Sequence, residues 1–261
     1  MSVEHTVIVT FEKNATQVYE LMDFDEKIVA FLREALAGLV RRQTDATKPI
    51  PPAWSASPLL KLVESIRQNN SLEPYYSQMF NQCLVLLVSH FSSAIRELYM
   101  GAVAEGIRER TMLPGLAEEQ LSVRIADITE PDADLSRELA HLLASKKGTS
   151  FQDMQSVARA FNDHLGYQPV KDADTDNIII AHACRHAIVH DGAQVNSRTI
   201  RQIRNTNNAT LSVRVHEGER LQFRPTDVQA VGSSMLAYLG RAVEFLASNP
   251  IPPLPEWPKG R

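Results

Sequence analysis

The chain has 261 residues, 44% hydrophobic and 22% charged, which is ordinary globular composition and enough to bury one large core. Its formal net charge of -4 argues against a protein that coats nucleic acid nonspecifically, while leaving room for a local basic cleft. The two cysteines, Cys83 and Cys184, sit inside apolar helical patterns; they read as buried free thiols rather than a disulfide framework, and a reducing compartment fits them.

Taken in chain order, Val3, His5, Val7, Val9 and Phe11 alternate with other residues, either as a short strand or as the lead-in to the first helix. Met1 to Phe11 has no basic start and no small-residue cleavage site, so no secretory signal is expected. From Ala15 to about Arg42 the apolar residues recur every three or four positions, which predicts a helix with Asn14 as its N-cap. The prolines 49, 51, 52 and 58 make Asp45–Pro58 a loop and the natural boundary between an N-terminal helical segment, residues 1–57, and a main helical domain, residues 58–248.

A short helix is predicted from Pro58 to Gln68, then a long one from about Glu73 to Ile107. Leu84, Leu87, Val88, Phe91, Ile95, Leu98 and Tyr99 lie on one face of the long helix, as in a central core helix. Its most apolar run, Cys83 to Val88, is too short to cross a membrane, and the expected location is the cytoplasm. Gly106–Gln120, with Pro114-Gly115 inside it, reads as a turn and a new start; Asp132–Ser145 reads as a helix; Thr149 or Ser150 caps another that runs to about Gly166. The acidic stretch Asp172–Asp176 suits a helix N-terminus, and the helix it opens stops at Gly192. Thr210–His216 and Arg220–Phe223, around a turn at Gly218, predict a small β-hairpin. Pro225 opens the last helix, and the tail, residues 249–261, is proline-rich and expected to be extended or disordered.

The helix before Gly192 concentrates the chemistry. His182, His186 and His190 follow one another at spacings of four and so line one stripe. Arg185 and His190 are five positions apart, about 140° around a helix and about 7.5 Å along it, so both can flank one groove.

The run Arg185-His186-Ala187-Ile188-Val189-His190, closed by Asp191-Gly192, resembles the Arg-x4-6-His motif of HEPN proteins, including the polar residue after the arginine and the small turn after the histidine. The resemblance extends over roughly Gln68–Leu246 and implies a mostly α, HEPN-like helical bundle with a small β-hairpin before the C-terminal helix. It also implies a metal-independent endoribonuclease that needs no cofactor, of the kind found in toxins and defence effectors. In RNA the 2'-hydroxyl attacks the adjacent phosphate, which calls for proton transfer and a fixed cation. Histidine suits the first and arginine the second. The resemblance therefore gives His190 proton transfer, Arg185 charge stabilisation and His186 orientation of the phosphate, with a 2',3'-cyclic phosphate as product. One histidine does not reach both sides of a phosphate, so a homodimer with facing motif helices is expected. RNA is the expected substrate, and an antitoxin or other regulatory partner is a further partner that such systems use.

Blander readings stand beside these. His182 reads as a structural histidine, and Arg185 can pair with Asp191 instead of a phosphate. The histidine stripe could ligate zinc, but it lacks an HExxH pattern. Asp172, Asp174 and Asp176 look like the start of a calcium loop without its glycine and distal glutamate, so capping explains them better. No phosphate-binding glycine loop occurs, and Ser55, Ser57, Ser233 and Ser234 lie in no nucleophile elbow. Arg198, Arg201 and Arg204, followed by Arg214, Arg220 and Arg224, form either the positive wall of an RNA cleft or a solvated face. The competing function is a catalytically inactive HEPN-like scaffold or dimerisation module that binds nucleotide or protein. Arg185 and His190 exposed together at a dimer cleft favour the enzyme, and burial in an ion pair favours the scaffold.

Overall fold

The computed structural model describes residues 3–44, 56–68, 73–109, 120–123, 134–146 and 150–249. The proline-rich loop at 45–55, the turn around Pro114-Gly115 and the tail at 250–261 lie outside the described residues. Among the described residues the chain is helical, and no strand is assigned.

α1 spans Val3–Met22. The alternation at its start is not a strand. Val7, Phe11, Ala15, Val18 and Met22 are buried at steps of four, four, three and four, while Val9 stays exposed, so the apolar pattern that decides the local structure is helical. Asn14 accordingly lies in the helix interior and caps nothing. The single helix expected up to Arg42 is divided at Asp23, whose carbonyl accepts the Lys27 N–H (3.0 Å) and so starts α2, Phe24–Thr44. α2 packs on α3, Ser57–Gln68, and the Gln43 side chain accepts the Ala56 N–H at 3.1 Å where the two meet.

α4, Glu73–Arg108, is the spine of the bundle. Cys83, Leu84, Leu87, Val88, Phe91, Ile95, Leu98 and Tyr99 are buried, as their spacing predicts. Among the described residues it is the one helix long and apolar enough to cross a membrane, yet half of that stretch is buried inside the protein. α1 packs along it, together with α5 (Leu135–Ser145), α6 (Met154–Leu165), α7 (Ala173–His190) and α9 (Pro225–Ser248). Phe91 marks the centre: its ring lies 6.1 Å from Phe11 of α1, 6.0 Å from His182 of α7 and 5.9 Å from Tyr238 of α9, each edge-on. The sequence segment 1–57 thus begins with a helix whose buried side chains belong to the common core.

The caps follow the acidic residues. Asp134 opens α5 by accepting the Arg137 N–H, and it also pairs with Arg108 at 2.9 Å. α6 is capped by Asp153, which accepts the Ser156 N–H at 2.8 Å, rather than by Thr149 or Ser150; the Ser150 hydroxyl accepts the Gln152 N–H instead. Gly166, left-handed at φ 71°, ends α6. Asp172 opens α7 through the Thr175 N–H (2.9 Å), and Arg241 of α9 bridges Asp172 (3.2 Å) and Asp174 (2.9 Å), which fastens the start of α7 to α9.

The expected hairpin at 210–223 is where the structure departs most from the sequence. The reverse turn exists: the Glu219 N–H bonds to the His216 carbonyl (3.1 Å), with Gly218 left-handed at φ 83°. Its two arms form no ladder. The second arm pairs instead with the chain just after α7, through Val195 N–H to Glu219 carbonyl (2.9 Å) and Leu221 N–H to Ala193 carbonyl (2.8 Å). The first arm is held by helix side chains. Asp176 accepts the Asn208 N–H (2.9 Å), Asn177 accepts the Thr210 N–H (3.0 Å), and Asp227 accepts both the N–H and the hydroxyl of Ser212 (2.8 Å each). Asn81 of α4 receives the Phe223 N–H (3.2 Å) and donates to the Leu221 carbonyl (3.0 Å), as a neighbouring strand would. All four side chains are buried, and they meet the backbone's hydrogen-bonding needs in place of a partner strand.

Candidate active site

α7 changes character along its length. Ile178, Ile180, Ala181, Ala183, Cys184, Ala187 and Ile188 are buried against α4 and α9. The histidine stripe is graded: His182 is buried, His186 half-buried and His190 exposed. Core packing thus holds the helix while its last turn meets solvent.

His182 belongs to the core. Its Nδ1–H donates to the Gln152 carbonyl oxygen at 2.7 Å, since a carbonyl can only accept. Its Nε2 is then the unprotonated nitrogen, buried and without a partner. Burial pushes this imidazole down from 6.5 to about 4. A neutral ring wedged beside Phe91 is a packing element, the role its sequence context predicts.

Arg185, His186 and His190 remain as the outward group. The rings of His186 and His190 lie 4.7 Å apart, nearly perpendicular at 82°. Arg185 is half-buried and forms no ion pair with any described residue. The pairing with Asp191 that would have explained it away does not form. Asp191 instead accepts the Asn196 amide at 2.8 Å.

The chain then turns sharply. Gly192 (φ 62°) and Ala193 (φ 67°) are both left-handed, and the Asp191 and Ala193 N–H groups both bond to the Ala187 carbonyl, at 2.9 and 3.0 Å. Glycine takes this conformation freely, whereas alanine takes it at a cost of roughly 1–2 kcal/mol. The buried Ala193 methyl and the pairing with Leu221 hold it there.

Sequence reasoning missed the element that follows, α8, Ser197–Ile203. Seven residues are too few to show periodicity, and the readable signal is its cap: Asn196 accepts the Thr199 N–H at 3.0 Å. Because Asn196 also holds Asp191, α8 is tied directly to the end of α7. Arg198 and Arg201 on α8, and Arg204 just after it, are exposed and make no ion pair with a described residue. A shallow depression lined by Asp191, Gln194, Val195, Asn196, Glu217 and Gly218 lies beside this corner.

The last two turns of α7 thus carry a guanidinium and a pair of contacting imidazoles, followed by a short helix with Arg198 and Arg201 and by Arg204 just after it. Among the described residues, no three histidine, cysteine, aspartate or glutamate side chains gather as a metal-ligand set, so the histidine stripe has no third ligand there. Cys83 and Cys184 are buried, free and far up in pKa, Cys83 to about 11 and Cys184 to about 12, because burial disfavours the thiolate, so neither is a nucleophile. No family model matches the chain, and neither a curated protein nor a solved structure matches it.

Proposed function

We propose that the chain is a metal-independent endoribonuclease of HEPN type, of the toxin or defence kind, acting in the cytoplasm as a homodimer whose two copies share one cleft. The observation that carries this reading is Arg185: a half-buried guanidinium with no carboxylate partner among the described residues, on the same helix as the contacting rings of His186 and His190. A cation with no such partner, on one helix with two imidazoles, suits a phosphate more than it suits fold stability.

In the reaction, the RNA 2'-hydroxyl gives up its proton to an imidazole and its oxygen attacks the adjacent phosphorus. The bond to the 5'-oxygen breaks, and that oxygen takes a proton from an imidazole on the opposite side. The products are a 2',3'-cyclic phosphate and a 5'-hydroxyl. His190 carries the proton in each copy, Arg185 faces the charge that builds on the phosphorane oxygens, and His186 orients the phosphate. Arg198, Arg201 and Arg204 bind the flanking strand. Only one edge of the phosphate is served by one chain, which is why two copies are required.

The test is cleavage of an end-labelled RNA pool in EDTA by the wild-type protein, His190→Ala and Arg185→Ala. The wild type is expected to leave cyclic phosphate ends, and each variant to lose about 100-fold or more in rate. Because His190 is exposed, its variant keeps the wild-type melting curve. Equal cleavage by all three proteins overturns the assignment, as does activity that disappears in EDTA.

A further inference from the structure

α2 is out of keeping with the rest of the molecule. It is a 21-residue helix rich in large apolar residues, yet none of its described side chains is buried. Val29, Leu36 and Val40 are half-buried, on the side that fits contact with α3. Phe24, Ile28, Phe31, Leu32 and Leu39 are 42–68% exposed. At about 100° per residue these five fall within one stripe roughly 100° wide, on a face adjoining the half-buried one. Such a stripe on an ordered helix marks an interaction surface.

We propose that this stripe is a self-association face, on which a second copy of the chain lays its own α2 antiparallel about a two-fold axis. Three features select this occupant. First, area: five large residues about half exposed present roughly 500 Å² of apolar surface, and with a polar rim this approaches the about 800 Å² per partner of a standard interface. Second, charge: exposed Asp23, ion-paired with Lys27 at 3.7 Å, sits at one end of the stripe and exposed Arg42 at the other. Antiparallel pairing keeps the two Arg42 residues apart and brings each near the Asp23–Lys27 pair of the other copy, whereas parallel pairing would stack Arg42 on Arg42. Third, balance: α2 carries four basic and three acidic residues in its sequence, not the basic flank with which an amphipathic helix seeks an anionic membrane. The inference stands apart from the chemistry proposed for α7.

The geometry is specific. The stripe runs from Phe24 to Leu39, so its midpoint, and the two-fold axis, fall at Phe31–Leu32. Phe31 meets Leu32 of the second copy and Phe24 meets Leu39, while the two Leu39 residues lie about 22 Å apart at 1.5 Å per residue.

Sedimentation of the full chain at tens of micromolar is expected to give a dimer, and Phe31→Glu with Leu32→Glu a monomer with unchanged helicity and melting temperature. A short bis-maleimide linker is expected to join Phe31→Cys to itself and Phe24→Cys to Leu39→Cys, but to leave Leu39→Cys alone unjoined; the native Cys83 and Cys184 are buried and do not compete. A monomeric wild type overturns the proposal, whether or not it binds vesicles or another protein. So does a dimer that survives the double glutamate change, and self-crosslinking of Leu39→Cys overturns the antiparallel arrangement.

Discussion

Acid should loosen the helix that carries the candidate site, and His182 sets the amount. In the folded chain burial holds its imidazole at about 4, against 6.5 when exposed. Between those two values the unfolded chain binds a proton at this position and the folded chain does not, so stability falls as pH falls through that window and is fully retained above it. Each unit of pH inside the window costs about 1.4 kcal/mol, so moving from pH 7 to pH 5 removes roughly 2 kcal/mol. The assay is urea unfolding followed by far-ultraviolet circular dichroism at pH 7, 6 and 5, on wild type and His182→Gln. Glutamine keeps an N–H for the Gln152 carbonyl but has no proton to gain. It is less stable at pH 7, because the ring contact with Phe91 (6.0 Å between centroids) is lost, yet the gap between the two proteins should shrink by roughly 2 kcal/mol by pH 5. Parallel pH profiles would show that His182 is not a buried neutral base, and the reasoning would fail.

Three further outcomes follow from the same contacts. Asn81→Leu strips the Phe223 N–H and Leu221 carbonyl of a buried partner and is expected to cost about 2–4 kcal/mol in urea unfolding; a loss below about 1 kcal/mol would mean that water replaces the amide. A Cβ on Gly232 of α9 would collide with the Tyr19 hydroxyl of α1, so Gly232→Ala should cost about 1–3 kcal/mol and Tyr19→Phe should restore part of it; strictly additive effects in the double variant would refute that contact. Replacing Arg198, Arg201 and Arg204 with alanine should lower the slope of log affinity against log salt for single-stranded RNA by about 2 in total, and an unchanged slope would place the strand elsewhere.

The sequence exposes those parts of the fold whose signal is local. α4 and α9 announce themselves because a long run of apolar residues at helical spacing has one reading, and Pro225 fixes where α9 begins. The start of α1 is ambiguous because Val3 to Phe11 satisfies a period of two as well as part of a period of four, and only the continuation through Ala15 and Val18 decides between them. At 211–216 the alternation is real: Leu211, Val213 and Val215 are half-buried and their neighbours exposed. The periodicity says that the segment is extended, but not what pairs with it. Here the pairing falls to Asp176, Asn177 and Asp227, which on their own helices read as capping or solvated residues. The motif is legible as residues in order, yet whether Arg185 is spent on Asp191 depends on Asn196, a competitor from a helix too short to foresee.

This division of roles bears on how α7 can carry chemistry. A guanidinium and an imidazole act on a phosphate only if their backbone does not drift, since small misplacement is expensive in rate. α7 is fixed at its start by the Asp172 cap and the Arg241 bridge, along one side by Asp176 and Asn177, and at its end by the pairing of residues 193–195 with 219–221. The exposed last turn carries His190, with half-buried Arg185 one turn before it. Under the proposed reading, a helix so restrained inside one chain would meet its copy without rearrangement, and the second set of the same side chains would complete the site. The arginine and histidine face of α7 and the apolar face of α2 make separable demands on that second copy, so the α2 double glutamate variant divides them. If it becomes monomeric and also stops cleaving RNA, one dimer serves both faces; if it becomes monomeric at low concentration yet cleaves at high concentration, the α7 face pairs by itself.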